Sequence, residues 1–136
     1  MPTKRTRNHG PVVVVGYDGS PESRAAVDHA ARQAGKSGRV YVVHACDDLA
    51  RGEATVDALA LTDDPILDTH FRTELLHCPP AEAIARVAAE RGADEIVIGA
   101  RGLGPFRSAL GSVSQQVLHE ARVPVVVIPP SALDEE

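Results

Sequence analysis

Glycines and serines between Asp94 and Ile128 carry the clearest chemistry in this sequence, DEIVIGARGLGPFRSALGSVSQQVLHEARVPVVVI. Gly99, Gly102, Gly104 and Gly111 follow a short apolar run, Ile96 to Ile98, and lead to Ser112 and Ser114. A strand that empties into a glycine loop and then into a helix start collects anionic phosphate. Glycines let the backbone approach a ligand, and the unpaired N–H groups of the first helical turn point at it. Ser112 reads as the helix N-cap, because Gln115 stands three residues on and completes a capping box. Candidate phosphate ligands are therefore Gly99, Gly102, Gly111, Ser112 and Ser114, with Val113 contributing its place in the first turn. Arg101 and Arg107 flank the loop and offer charge to a phosphate, although surface arginines are more often simply solvated.

A second candidate is Asp18, in the turn Asp18-Gly19-Ser20-Pro21. Taken alone it reads as an Asx-turn residue; set against a facing glycine loop it reads equally as an acceptor for a sugar hydroxyl or a base amine. Other chemistries find no support. The sequence contains no GxxxxGK[ST] and no GxGxxG, and GSVS is not a GxSxG elbow. Its six histidines show no metal-binding spacing, so packing or surface roles are expected of them. No nucleophile–base pair stands out, which points away from an enzyme.

The elements that must position these residues alternate strand and helix. Pro11 to Tyr17 is a β-branched strand, and Ser20 caps a helix that begins at Pro21, keeps Ala26, Val27, Ala30, Ala31 and Ala34 inward, and stops near Gly35. Arg39 to Ala45 is a second strand. Leu49 to Leu61 has the makings of a short helix, opposed by Gly52, Thr55, Val56 and the turn at Thr62 to Pro65. Phe71 to His77 is a third strand. Pro79-Pro80 opens a helix closed by Arg91-Gly92. A last helix, with Val113, Val117, Leu118 and Ala121 inward, leads to a strand from Val123 to Ile128. Alternation of this kind implies βαβ units, a parallel sheet and helices on both faces. Ligands of such sheets bind where the strand order reverses. If the first and fourth strands are neighbours, the Asp18 turn and the Gly99 loop face each other there.

The 136 residues fit one domain, expected over residues 11–130 between a basic tail (1–10) and an acidic one (131–136). Aromatic residues make up only 3% of the chain, so the core must be aliphatic. A net charge of −5 argues against nucleic acid or an anionic membrane as partner. The longest aliphatic runs, Val12 to Val15 among them, are far too short for export or membrane insertion. Cys46 and Cys78 lack CxxC spacing, which fits a reducing cytoplasm. The all-apolar Val123 to Ile128 strand, last in the chain, invites pairing with a second copy if it forms a sheet edge.

VGYDGSPES at the first strand, PAEAI at Pro80 to Ile84, IVIGARG, GSVSQQVL and VPVVVIP together resemble the universal stress protein family. The resemblance runs from Pro11 to Pro130. It implies an open five-stranded parallel α/β sheet of Rossmann-like type in the order 3-2-1-4-5, a cytoplasmic stress-related role and homodimers paired through the last strand. It also implies that a nucleotide-binding subclass holds ATP, with AMP or cAMP as alternatives and Mg2+ as a companion of ATP. That subclass spaces its glycines as Gly, two residues, Gly, nine residues, then Gly and Ser or Thr. Gly99, Gly102, Gly111 and Ser112 match, but only eight residues, Leu103 to Leu110, separate the second pair. By the same resemblance Tyr17 and Asp18 meet the adenine and ribose, Ala45 flanks the base, and Cys78 occupies a position where members usually carry glycine. The function implied is an adenine-nucleotide-dependent stress regulator. The alternatives are a dimeric stress protein that works by protein contacts alone, and a slow ATPase.

Overall fold

The computed structural model describes residues 10–60, 70–100 and 111–129. In chain order the elements are β1 (Val12–Gly16), α1 (Pro21–Ala34), β2 (Arg39–Ala45), α2 (Leu49–Ala60), β3 (His70–Leu76), α3 (Pro80–Arg91), β4 (Glu95–Gly99), α4 (Ser112–Glu120) and β5 (Val125–Ile128). The strands form one parallel sheet in the order β3-β2-β1-β4-β5. This is the α/β architecture and strand order that the resemblance implies.

Period-two alternation in β1 divides the core. Val12 and Val14 face α3 and α4, packing with Tyr41, Val43, Ile84, Val87, Ile96, Ile98 and Val117. Val13 and Val15 face α1, among Ala26, Val27, Ala30, Ala34, Val40, Val42 and Val97. Alanines on α1 let that helix lie close on the sheet, a means of filling a core with so few aromatic rings. The two central strands are clamped at their start: Asp94 Oδ2 accepts from Val12 N–H at 2.8 Å, and Asp94 N–H donates to Val12 O at 2.7 Å. At the outer corner the Arg91 guanidinium lies 5.0 Å from the centre of the Tyr41 ring and pairs with Glu74, which raises its pKa further above the ordinary value.

Several sequence expectations shift. The segment after β2 is a helix of 12 residues, α2, despite Gly52. Gly52 earns its place by a close approach, since a Cβ there would lie 2.6 Å from Cys46 Sγ. β5 begins at Val125 instead of Val123, because Pro124 has no N–H, although its carbonyl still accepts from Ile96 at 3.0 Å. Leu118, assigned inward, is 43% exposed; Val117 takes the buried position on α4. β1 is a residue shorter at each end, and β3 lies one residue earlier. Gly10, assigned to the tail, donates to Ser37 O at 2.7 Å and so is tied to the fold.

Candidate functional site

Strand order reverses between β1 and β4, whose neighbours β2 and β5 run outward to opposite edges. At the carboxyl ends of these strands the structure holds a cavity of about 350 Å³. Gly16, Tyr17 and Asp18 line it from β1, His44 and Ala45 from β2. Ile98 and Gly99 of β4 form the opposite wall, and Gly111 to Ser114 at the start of α4 close the end. Pro80 and Ile84 of α3 complete one side.

Hydrogen bonds among its own residues organise the Asp18 wall. Asp18 Oδ1 accepts from Ser20 N–H at 2.9 Å, the Asx turn expected of it, and also from Ser23 Oγ–H at 2.9 Å. Ser20 Oγ accepts from Ser23 N–H at 3.2 Å, which makes it the N-cap of α1, with Pro21 behind it. Gly19, at φ 87°, takes the left-handed conformation that the turn requires. Tyr17 is buried, and its N–H donates to Val43 O at 2.9 Å. His44 Nδ1 donates to Tyr17 O at 2.8 Å, since a carbonyl partner can only accept.

The facing wall depends on close approach. A Cβ on Gly99 would come within 2.8 Å of Glu22 Cβ and 3.2 Å of the Glu22 carbonyl carbon, so the end of β4 meets the first turn of α1 with no room to spare. Ser114 is buried, and its Oγ–H donates to Gly99 O at 2.9 Å. Gly111 N–H donates to Ala100 O at 3.1 Å. These bonds hold the amino end of α4 over β4.

Ser112 is not the cap. Gly111 occupies the N-cap position without a side-chain bond, its carbonyl accepting from Gln115 N–H at 3.0 Å, and Ser112 is the exposed first residue of the helix. A tether from the third residue of the helix replaces a cap: Ser114 reaches back to β4, so local capping is not needed to set the helix start. The first-turn N–H groups of α4 remain at the cavity wall, where they have no intrahelical acceptor.

Tyr17, Asp18, Ala45, Gly99, Gly111, Ser112, Val113 and Ser114 are thus brought to one cavity. Arg101 and Gly102 lie outside the described residues, as do Gly104, Pro105 and Arg107. Sequence reasoning passed over Ser23, His44, Pro80 and Ile84 as lining residues. Ser23 carried a signal, three residues after the capping Ser20 and five after Asp18. His44 carried none, since a histidine at a strand end gains meaning only when the neighbouring strand is known. The cavity has two unlike sides. Toward β4 it offers the N–H groups of a helix start; toward β2, Val43, Ala45 and Pro80 give an aliphatic wall beside His44. Such a site suits a ligand with an anionic group at one end and a flat, weakly polar group at the other. Among the described residues no cluster of three His, Cys, Asp or Glu side chains could hold a metal ion, and no helix is long and apolar enough to cross a membrane.

Comparison with known proteins gives the same family from sequence and from structure. The profile of the universal stress protein family matches residues 11–129. A universal stress protein of Thermus aquaticus is 37% identical over 136 residues, which cover 85% of this chain and 96% of the relative. One from Mycolicibacterium smegmatis is 31% identical, with 85% of this chain covering 47% of a longer protein. Among solved structures, a universal stress protein in complex with cAMP aligns at a TM-score of 0.75 and 27% identity, over 90% of this chain and 98% of that one. The Archaeoglobus fulgidus universal stress protein in complex with dAMP aligns at 0.70 and 26% identity, over 88% and 98%.

Proposed function

Because the chain belongs to the universal stress protein family, we propose that its cavity binds an adenine nucleotide and that occupancy makes the protein a regulatory module of a stress response. One observation carries this reading. The Asp18 turn and the amino end of α4 meet across a single cavity at the reversal point of a parallel sheet. The first-turn N–H groups of α4 face the phosphate, Asp18 accepts from ribose hydroxyls, and the base lies between the aliphatic walls at Ala45 and Ile84. Similar proteins solved with cAMP and with dAMP support the nucleotide class. ATP, AMP and cAMP are all candidate ligands, ATP with Mg2+. The cavity offers binding groups and, among the described lining residues, no activated nucleophile. The role proposed is that of a nucleotide sensor in the cytoplasm rather than that of a fast enzyme. Calorimetric titration with ATP, AMP and cAMP, with and without Mg2+, tests the reading. Saturable binding of one of them supports it; absence of heat with all of them at millimolar concentration overturns it.

A second reading concerns assembly. β5 is a sheet edge, and each of its four apolar residues, Val125 to Ile128, is only partly buried. We propose that this edge pairs with a second copy to form a homodimer, which would transmit the state of the site to partners. Sedimentation velocity at micromolar concentration checks it, a monomer at every concentration being the contrary result.

A further inference from the structure

The cavity does not end at Ala45 and Pro80. Both residues also line an adjoining groove of about 510 Å³ at the carboxyl ends of β2 and β3. It is lined by the half-buried, polarisable thiols of Cys46 and Cys78 and by the exposed Pro79, with the exposed Asp47 carboxylate and His77 imidazole beside them. The two sides of the groove are stitched together. Cys46 N–H donates to Leu76 O at 3.0 Å, and His77 Nδ1 donates to Cys46 O at 3.1 Å. Neither thiol is in a disulfide, and both are half-buried.

The polarity of the main cavity decides which part of a ligand borders this groove. The phosphate goes to the helix N–H groups beside Gly99 and Gly111, so the base lies at the aliphatic side, next to Ala45 and Pro80. We propose that the groove is a subsite for an apolar substituent carried on the base, and that base-substituted adenosine phosphates are a ligand class of this protein. The subsite rests on the nucleotide reading above. Its soft thiol lining fits an alkyl or aryl group, and Asp47 and His77 beside it accept hydrogen bonds from a polar end of that group.

Two thiols in the lining make the inference testable by proximity. AMP derivatives bearing a short arm that ends in a chloroacetamide, attached at the purine N6 or C8 position, place an electrophile over the groove. Sulfur attacks the chloromethyl carbon, the C–S bond forms as C–Cl breaks, chloride leaves and the thiol proton passes to solvent. At least one derivative is expected to label Cys46 or Cys78 stoichiometrically and more than about tenfold faster than chloroacetamide itself, because binding raises the local concentration of the electrophile. Excess AMP is expected to suppress the labelling, and Cys46→Ser or Cys78→Ser identifies the thiol by intact mass. Labelling of neither thiol by either derivative, in protein that binds AMP, overturns the subsite alone. Labelling that AMP does not suppress also overturns it. Protein that binds none of AMP, ATP and cAMP takes down the nucleotide reading and the subsite together; where ATP or cAMP binds in place of AMP, the same arms are carried on that nucleotide and that nucleotide is the competitor.

Discussion

Ser114 donates its hydroxyl hydrogen to the Gly99 carbonyl at 2.9 Å, a buried bond between residues 15 apart in the chain. With the Gly111–Ala100 bond at 3.1 Å it fixes both ends of the glycine loop against one strand terminus. A loop with eight residues between Gly102 and Gly111 still delivers the start of α4 to the cavity. Ser114→Ala removes the donor and leaves a buried carbonyl short of a partner, at a cost of about 1–3 kcal/mol. The expected result is a lower urea midpoint with an unchanged m-value, together with weaker AMP binding by calorimetry.

Gly16 and Gly99 both line the cavity, yet alanine at each should act differently. At Gly99 the new Cβ meets Glu22 Cβ and the Glu22 carbonyl carbon, so the start of α1 must move. Gly99→Ala is expected to cost about 1–3 kcal/mol, as overpacking of close-set backbone does. At Gly16 the obstacle is Ile84 Cδ1 at 2.6 Å, the free end of a flexible side chain. Gly16→Ala is then expected to lose less stability but to turn Ile84 within the cavity, lowering nucleotide affinity. Denaturation curves paired with calorimetry on both variants separate the two effects; equal stability losses would contradict the distinction.

Asp18 holds its turn and, in the proposed complex, also meets the ribose, two roles that substitution can part. Its Oδ1 accepts from Ser20 N–H and Ser23 Oγ–H. Asp18→Asn keeps an acceptor at Oδ1 and should leave stability within about 0.5 kcal/mol. Loss of a charged hydrogen bond to the ligand, worth about 1.5–3 kcal/mol, predicts a Kd for AMP raised roughly 10- to 100-fold. Asp18→Ala adds a loss of stability of about 1–2 kcal/mol from the turn. An Asn variant that binds AMP as tightly as the parent would show that Asp18 serves the turn alone.

Much of this was legible from local pattern. Alternation in Val12 to Val15, Pro21 behind Ser20, and the glycine that ends α3 each act over a few residues, so each could be read from the chain alone. The cavity was foreseeable too, because Asp18 and Gly99 end strands that a parallel α/β topology sets side by side. What escaped notice depended on contacts across the sheet. His44 acquires its role from the Tyr17 carbonyl, 27 residues away, and Ser114 replaces the expected Ser112 cap by bonding to β4. Gly52 looked like a helix breaker, but it sits in α2 where Cys46 Sγ leaves no space for a larger residue. Propensity penalises that glycine by about 1 kcal/mol; packing overrides it.

The β5 edge supplies a prediction that separates folding from assembly. Pro124 O and Ile128 O accept from Ile96 and Ala100, so the even-numbered residues of this segment direct their backbone groups at β4. By the alternation of a parallel strand, Val125 and Val127 direct theirs outward, along the free edge. Val127→Pro therefore removes an outward N–H while keeping every bond to β4, the position at which a sheet edge tolerates proline. The variant is expected to fold, to bind AMP as the parent does at saturating ligand, and to sediment as a monomer where the parent is a dimer. A Val127→Pro protein that folds and still forms the parent's dimer would place the interface elsewhere.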